Sequence, residues 1–196
     1  MDKRILALIA AIVATSIFGF NHTIAKELMP NVLSPNALLY SRVLGAAICF
    51  WFVSLFTKRQ KVELKDFKLI IICAIFGMGL NMITALNGLY NSTPINSSII
   101  TTLAPIFIFL ISVIMLKERI SRIKYAGVLI GFIGTLTLIL LNEKSLENAP
   151  NINLGNFYLF INSISYALYF VLVKPLTEKY NMITIMKWLF LFSIFI

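Results

Sequence analysis

The forty-eight residues from Leu69 to Leu116 contain no Asp, Glu, Lys or Arg, and this run decides the solvent in which the chain must fold. About 20 apolar residues suffice to cross the ~30 Å hydrocarbon layer, so the run is too long for one helix and right for two. It divides at Asn91-Ser92-Thr93-Pro94, where Thr93 can cap a helix that opens on Pro94. The same scan places spans at Ile5–Ala25 and about Asn36–Thr57, the second opened by Ser34-Pro35 and holding one internal cation, Arg42. Further spans are expected at Tyr125–Leu141, at about Leu154–Val173, and from Met182 onward. The hydrophobic share of 59% and mean hydropathy of +0.90 over 196 residues exceed what one soluble core of this size can hide. The expected fold class is all-α, a polytopic transmembrane helix bundle.

The formal charge of +9 is distributed as a membrane protein distributes it, in short basic runs between apolar stretches. With the N-terminus inside, thirteen Lys and Arg fall in inside segments and only Lys26 and Lys144 outside, while Arg42 and Lys187 lie within spans. That bias predicts a cytoplasmic N-terminus in a multi-pass protein of the cell membrane. The partner implied is a lipid bilayer with anionic headgroups, and no nucleic acid. Met1-Asp2-Lys3-Arg4 and the apolar run behind it superficially resemble a secretory signal, but the spans that follow make it a retained first helix. Cys49 and Cys73 sit within apolar segments, form no CxxC pair and have no nearby histidine; they read as packing residues rather than a disulfide or metal site. No HExxH, phosphate-binding glycine loop, paired intramembrane carboxylate or nucleophile–base pair is present. Neither an enzyme, a cofactor nor a metal is expected.

Displacing the chain by 148 residues lays Thr15, Gly19, Ala25, Lys26 and Leu28 over Ser163, Ala167, Val173, Lys174 and Leu176. Each copy is an apolar helix with mid-way hydroxyls, then Lys-x-Leu, then a short loop into another apolar helix. Five spans from the start of one copy to the start of the next reverse the second copy's direction through the membrane, the plan of an inverted-repeat secondary transporter. The first repeat occupies residues 1–144, and residues 152–196 carry about two helices of the second. A complete second copy implies roughly 296 residues and ten spans; seven spans as the natural whole is the alternative.

Asn87-Gly88-Leu89-Tyr90, Thr93-Pro94-Ile95-Asn96-Ser97-Ser98-Ile99-Ile100 and Leu103-Ala104-Pro105-Ile106-Phe107 resemble the third and fourth helices of the drug/metabolite transporter superfamily, EamA type. Lys117-Glu118-Arg119-Ile120-Ser121 and the Gly127, Gly131, Gly134 series resemble that family's fourth-to-fifth loop and fifth helix, and Phe20-Asn21-His22 and Tyr40-Ser41-Arg42 its first two helices. The resemblance covers the whole chain and is strongest from Ala85 to Leu141. It implies ten helices in two inverted five-helix repeats, cytoplasmic termini, and export or exchange of small metabolites. Much of the second repeat is absent from this chain.

The candidate substrate-binding residues are Asn21, His22, Arg42, Asn87, Tyr90, Thr101, Tyr166 and Tyr169. Arg42, about two turns into its helix, either snorkels to the outer headgroups or faces the bundle, where it would attract an anion or pair with a carbonyl. His22 is the single histidine, a proton-coupling group or a plain polar contact. Asn87 and Tyr90 are i, i+3 neighbours, as are Tyr166 and Tyr169, while Asn81 falls roughly opposite Asn87. Pro105 cannot donate to the Thr101 carbonyl and should kink the fourth helix. Gly127, Gly131 and Gly134 read as a helix-packing stripe, Glu118 as a loop ion-pair member, and Lys187 as a snorkelling cation. The function expected is a secondary transporter of small metabolites or drugs by alternating access, with a coupling ion or counter-substrate. The rival is a non-transporting remnant, or an assembly partner that completes its bundle as a homo-oligomer or with another subunit.

Overall fold

The computed structural model describes residues 3–29, 31–116, 122–141 and 149–196. Among them are nine α-helices and one π-helical turn: α1 (Lys3–Leu28), α2 (Pro35–Ser54), α3 (Leu64–Ala74), the π turn (Ile75–Leu80), α4 (Asn81–Asn91), α5 (Pro94–Thr101), α6 (Ala104–Leu116), α7 (Arg122–Leu141), α8 (Ile152–Lys179) and α9 (Met182–Ser193). The all-helical, polytopic class expected from the apolar runs is what the chain adopts. Five helical stretches, Arg4–Leu28, Pro35–Ser54, Leu64–Asn91, Pro94–Met115 and Ile152–Lys179, are long and apolar enough to cross a membrane. α7 has 20 residues, and the shorter α9 is also apolar.

Local chemistry sets the ends. The Ser34 side chain accepts from Ala37 N at 3.2 Å, and Thr93 Oγ1 accepts from Asn96 N at 3.1 Å. Each cap precedes a proline at the first helical position, where no amide donor is needed. Asn151 and Asn181 cap α8 and α9 in the same manner. α8 runs beyond the expected end at Val173 and carries Pro175 inside it. Its last turn is held because Leu176 is buried and Tyr180 N closes on Leu176 O at 2.8 Å. The third span is not one regular helix, since the π turn interrupts it between α3 and α4. The fourth is split as well, α5 ending at Thr101 and α6 starting at Ala104. Pro105 is the second residue of α6, and Thr102 N and Leu103 N close tight i→i−3 bonds onto Ile99 O and Ile100 O just before it.

The centre of the bundle is α8, which lies along α4 at contact distance because glycines make room for it. A β-carbon on Gly88 would fall 2.7 Å from Leu159 Cγ, and one on Gly155 would fall 2.6 Å from the Ser92 amide nitrogen. A β-carbon on Gly77 would fall 2.6 Å from Tyr169 Cγ. Lipid offers apolar side chains as good a home as a neighbouring helix does, so such close backbone approach and interhelical hydrogen bonds carry the association. The expected stripe on α7 behaves differently. A β-carbon on Gly131 would fall 3.2 Å from Ile106 Cδ1, whereas one on Gly127 or Gly134 would meet only open space among the described residues. Among the described residues the tightest glycine contacts lie along α8, α4 and the π turn.

One hydrophobic cluster fills the end of the bundle near the α2–α3 loop, joining Val43, Ala47, Ile70, Cys73, Tyr169, Leu176, Ile185 and Leu189. Cys73 is thus a buried packing residue, while Cys49 is exposed, and both are free thiols. Lys187 reaches over the Trp51 ring at 5.1 Å, a cation–π contact. Lys117, Glu118, Arg119 and Lys144 lie outside the described residues.

Candidate functional site

A cavity of about 710 Å³ lies on the other side of that cluster, toward the end of the bundle that carries the α1–α2 and α4–α5 connections. Helical periodicity explains its walls. α1 contributes Phe18, Asn21, His22 and Ala25; α4 contributes Asn81, Met82, Ala85, Leu86 and Leu89; α8 contributes Leu159, Asn162, Ser163 and Tyr166. Each set follows the i, i+3, i+4 spacing of one helix face. Arg42 enters from α2, and Ser97, Thr101, Thr102, Ala104 and Pro105 from the broken fourth span.

Five of the eight residues singled out from the sequence therefore meet at one cavity: Asn21, His22, Arg42, Thr101 and Tyr166. Three are placed elsewhere. Asn87 is rotated to the far side of α4 from Ala85 and Leu89, and its Nδ2 donates to Ile83 O at 2.9 Å. Tyr90 packs against the small cluster of Ala25, Met29 and Leu38. Tyr169 is buried in the large cluster, its ring against Gly77. Sharing a face with a good candidate at i+3 did not suffice here. The i+3 residue is a turn deeper and rotated by about 60°, enough to move Tyr169 from cavity wall to core.

The π turn sets the phase of α4. A single π turn adds roughly one residue, about 100° of rotation, relative to a continuous α-helix, and α4 starts directly after it at Asn81. Polar side chains from α8 secure the irregular backbone: Ser165 Oγ donates to Phe76 O at 2.6 Å and Asn162 Nδ2 to Asn81 O at 2.8 Å. Asn81 Nδ2 donates in return to Asn162 O at 3.3 Å. At the break in the fourth span, Ser163 Oγ donates to Ile100 O at 3.2 Å, and the Thr101 and Thr102 hydroxyls donate to Ser98 O and Ile99 O. Non-helical backbone at membrane depth persists where neighbouring helices supply such partners or a cavity receives it.

Arg42 faces the bundle, half-buried, and its Nη2 donates to Asn21 Oδ1. His22 stacks obliquely on Phe18 with centroids 4.6 Å apart, and its Nδ1 lies 3.3 Å from Phe18 O. Lys26 has a structural task. Its Nζ donates to Leu89 O, Tyr90 O and Ser92 O at 2.9, 2.7 and 2.7 Å, satisfying carbonyls left open where α4 ends. Ser97 and Asn162 line the cavity without having been singled out as candidates, although both were within reach of a spacing argument, since Ser97 is i−4 to Thr101 and Asn162 is i−4 to Tyr166. Asn81, which the sequence spacing puts roughly opposite Asn87, lines the cavity as well.

Residues 5–140 match the family described as EamA-like transporter family. The chain belongs to that family. This EamA-type chain is similar to an uncharacterized transporter of Archaeoglobus fulgidus, with 31% identity over 154 residues, 78% of this chain and 52% of the relative. It is similar to the uncharacterized transporter YetK of Bacillus subtilis, 25% identical across 98% of this chain and 59% of the relative. A WAT1-related protein of Arabidopsis thaliana is 23% identical over 86% of this chain and 53% of its own length. The chain spans about half the length of the curated relatives it matches. No solved structure matches it. Family and helices together make this a multi-pass membrane protein of a transporter family rather than an enzyme family.

Proposed function

We propose that this EamA-type chain forms part of a secondary transporter that exports or exchanges small metabolites or drugs by alternating access. The observation that carries the reading is the cavity of about 710 Å³ between α1, α2, α4, α5, α6 and α8, within the range of small-molecule sites and walled by polar and apolar groups together. Residues 1–144 are one five-helix repeat and residues 152–196 open a second, inverted one, so that the working transporter contains a pair of repeats whether in one chain or two. With the N-terminus cytoplasmic, the cavity belongs to the outer half of the bundle, and the large cluster closes the cytoplasmic half. Rocking of one repeat against the other, driven by a coupling ion or by exchange, would transfer access between the two sides.

The test is solute uptake by the full-length protein in membrane vesicles, with Arg42→Ala and Tyr166→Ala expressed at the parental level. Both should depress uptake severalfold, on the scale of one lost charged or aromatic contact. Normal transport by both would mean that the cavity is not the path.

A further inference from the structure

The cavity is chemically one-sided in charge, and this deepens the transporter reading on which it rests. Among the described residues its walls include Arg42 and the imidazole of His22 but no Asp or Glu. The Arg42 guanidinium uses one of its five N–H donors on Asn21 Oδ1. An uncharged amide oxygen orients the cation without neutralising it, so the positive field remains directed into a space with low-dielectric walls. A second observation is independent of the first. Ser97 is 1% exposed and lines the same cavity, yet its Oγ is the one buried side-chain polar atom without a hydrogen-bond partner among the described residues. A buried hydroxyl left unpaired is costly, and at a cavity wall a ligand can supply the missing bond. Phe18, Leu86 and Tyr166 complete the lining with apolar and aromatic surface.

We infer that the transported solute is a small amphipathic organic anion. Its carboxylate, sulfonate or phosphate group is held by Arg42, a hydrogen-bonding group meets Ser97, and an apolar or aromatic body lies against the Phe18–Tyr166 wall. Guanidinium suits this task because its planar donors match the geometry of an oxyanion pair.

Three probes of one size and different charge test it: benzenesulfonate, benzenesulfonamide and benzyltrimethylammonium, titrated into the purified full-length protein while its unfolding temperature is followed. Benzenesulfonate should raise the unfolding temperature saturably and the other two should not. Arg42→Gln should weaken that binding by about tenfold or more, Arg42→Lys by less, and Ser97→Ala by about threefold, on the scale of charged and neutral hydrogen bonds. Lys174→Gln should leave it unchanged. If Arg42→Gln does not fold, Arg42→Lys and Ser97→Ala carry the comparison. Binding of the ammonium or sulfonamide probe as tightly as the sulfonate overturns the anion assignment and leaves the cavity standing as a transport site. No stabilisation by benzenesulfonate, or stabilisation that survives Arg42→Gln, likewise overturns it. The vesicle uptake assay decides the transport reading separately.

Discussion

Gly88 and Gly155 have no side chain to spare, because α8 and α4 approach each other through the space a β-carbon would fill. Gly88→Val forces Leu159 or the helix backbone aside, and overpacking of this kind costs about 1–3 kcal/mol. A β-carbon added at Gly127 meets nothing within 4 Å among the described residues, so Gly127→Val should stay within about 0.5 kcal/mol of the parent, as open positions do. Thermal unfolding of the two variants in the same detergent checks the difference. Equal losses would show that α7 has a partner face as close as that of α4. The glycine series on α7 was the conspicuous one in the sequence, with its regular spacing, whereas the glycines of α4 and α8 stand singly. Spacing identifies a smooth helix face; which helix covers that face depends on the whole bundle.

The fourth span shows what one proline does at the scale of an element. Pro105 removes a donor and crowds the Thr101 carbonyl, an effect of about 3 kcal/mol in an uninterrupted helix, and the helix accordingly restarts at Ala104. Thr101, Thr102 and Pro105 are thereby placed on the cavity wall. Pro105→Ala should restore a continuous ladder from α5 into α6, leaving thermal stability equal or higher while uptake falls. Uptake at the parental rate would show that the break is dispensable for transport. The capped helix starts at Ser34-Pro35 and Thr93-Pro94 could be placed from the chain alone, since cap and proline act on their own turn. The π turn at Ile75–Leu80 could not, because the hydroxyl and amide that hold its backbone come from α8, more than eighty residues away.

Across the whole molecule, the end opposite the cavity is tied by polar contacts between the α2–α3 loop and the α8–α9 junction. Lys179 Nζ pairs with Glu63 at 2.7 Å and Asp66 at 2.6 Å. The Tyr180 hydroxyl donates to Asp66 at 2.6 Å, and Asn181 N donates to Gln60 Oε1 at 2.6 Å. Hydrogen bonds from Lys179, and then from Lys65, hold the Glu63 carboxyl below the usual carboxylate range. A carboxylate depressed in the folded state contributes its stabilisation above the unfolded pKa of ~4.3 and loses it as pH falls through the lower folded value. The tie should therefore be intact at neutral pH and weaken only in strong acid. In a Cys49→Ser background, thiol labelling of a cysteine introduced at Val62, expressed relative to a free thiol at the same pH, should stay slow down to about pH 4–5 and accelerate below it. Lys179→Ala should make labelling fast at every pH, and labelling indifferent to both changes would remove any closing role from these contacts. Because the groups are exposed, the expected readout is local opening rather than a large change in global stability.

Helical class, span positions and the asymmetry of positive charge were determined by the sequence itself, because each depends on runs of neighbouring residues meeting lipid or water. The family was legible for the same reason, its motifs being contiguous in α4, α5 and α6. Asn21, His22 and Arg42 stood out as polar groups within apolar runs, and Thr101 as a hydroxyl beside a proline. Tertiary structure alone decided which of two helical faces each candidate occupies. Tyr166 and Tyr169 differ by three residues, yet one lines the cavity and the other fills the core. In lipid, all faces of an apolar helix are acceptable to the solvent, so composition does not mark the inward one. Rotation is set by the few places where backbones touch, at Gly77, Gly88 and Gly155, and by a π turn whose supporting bonds come from α8.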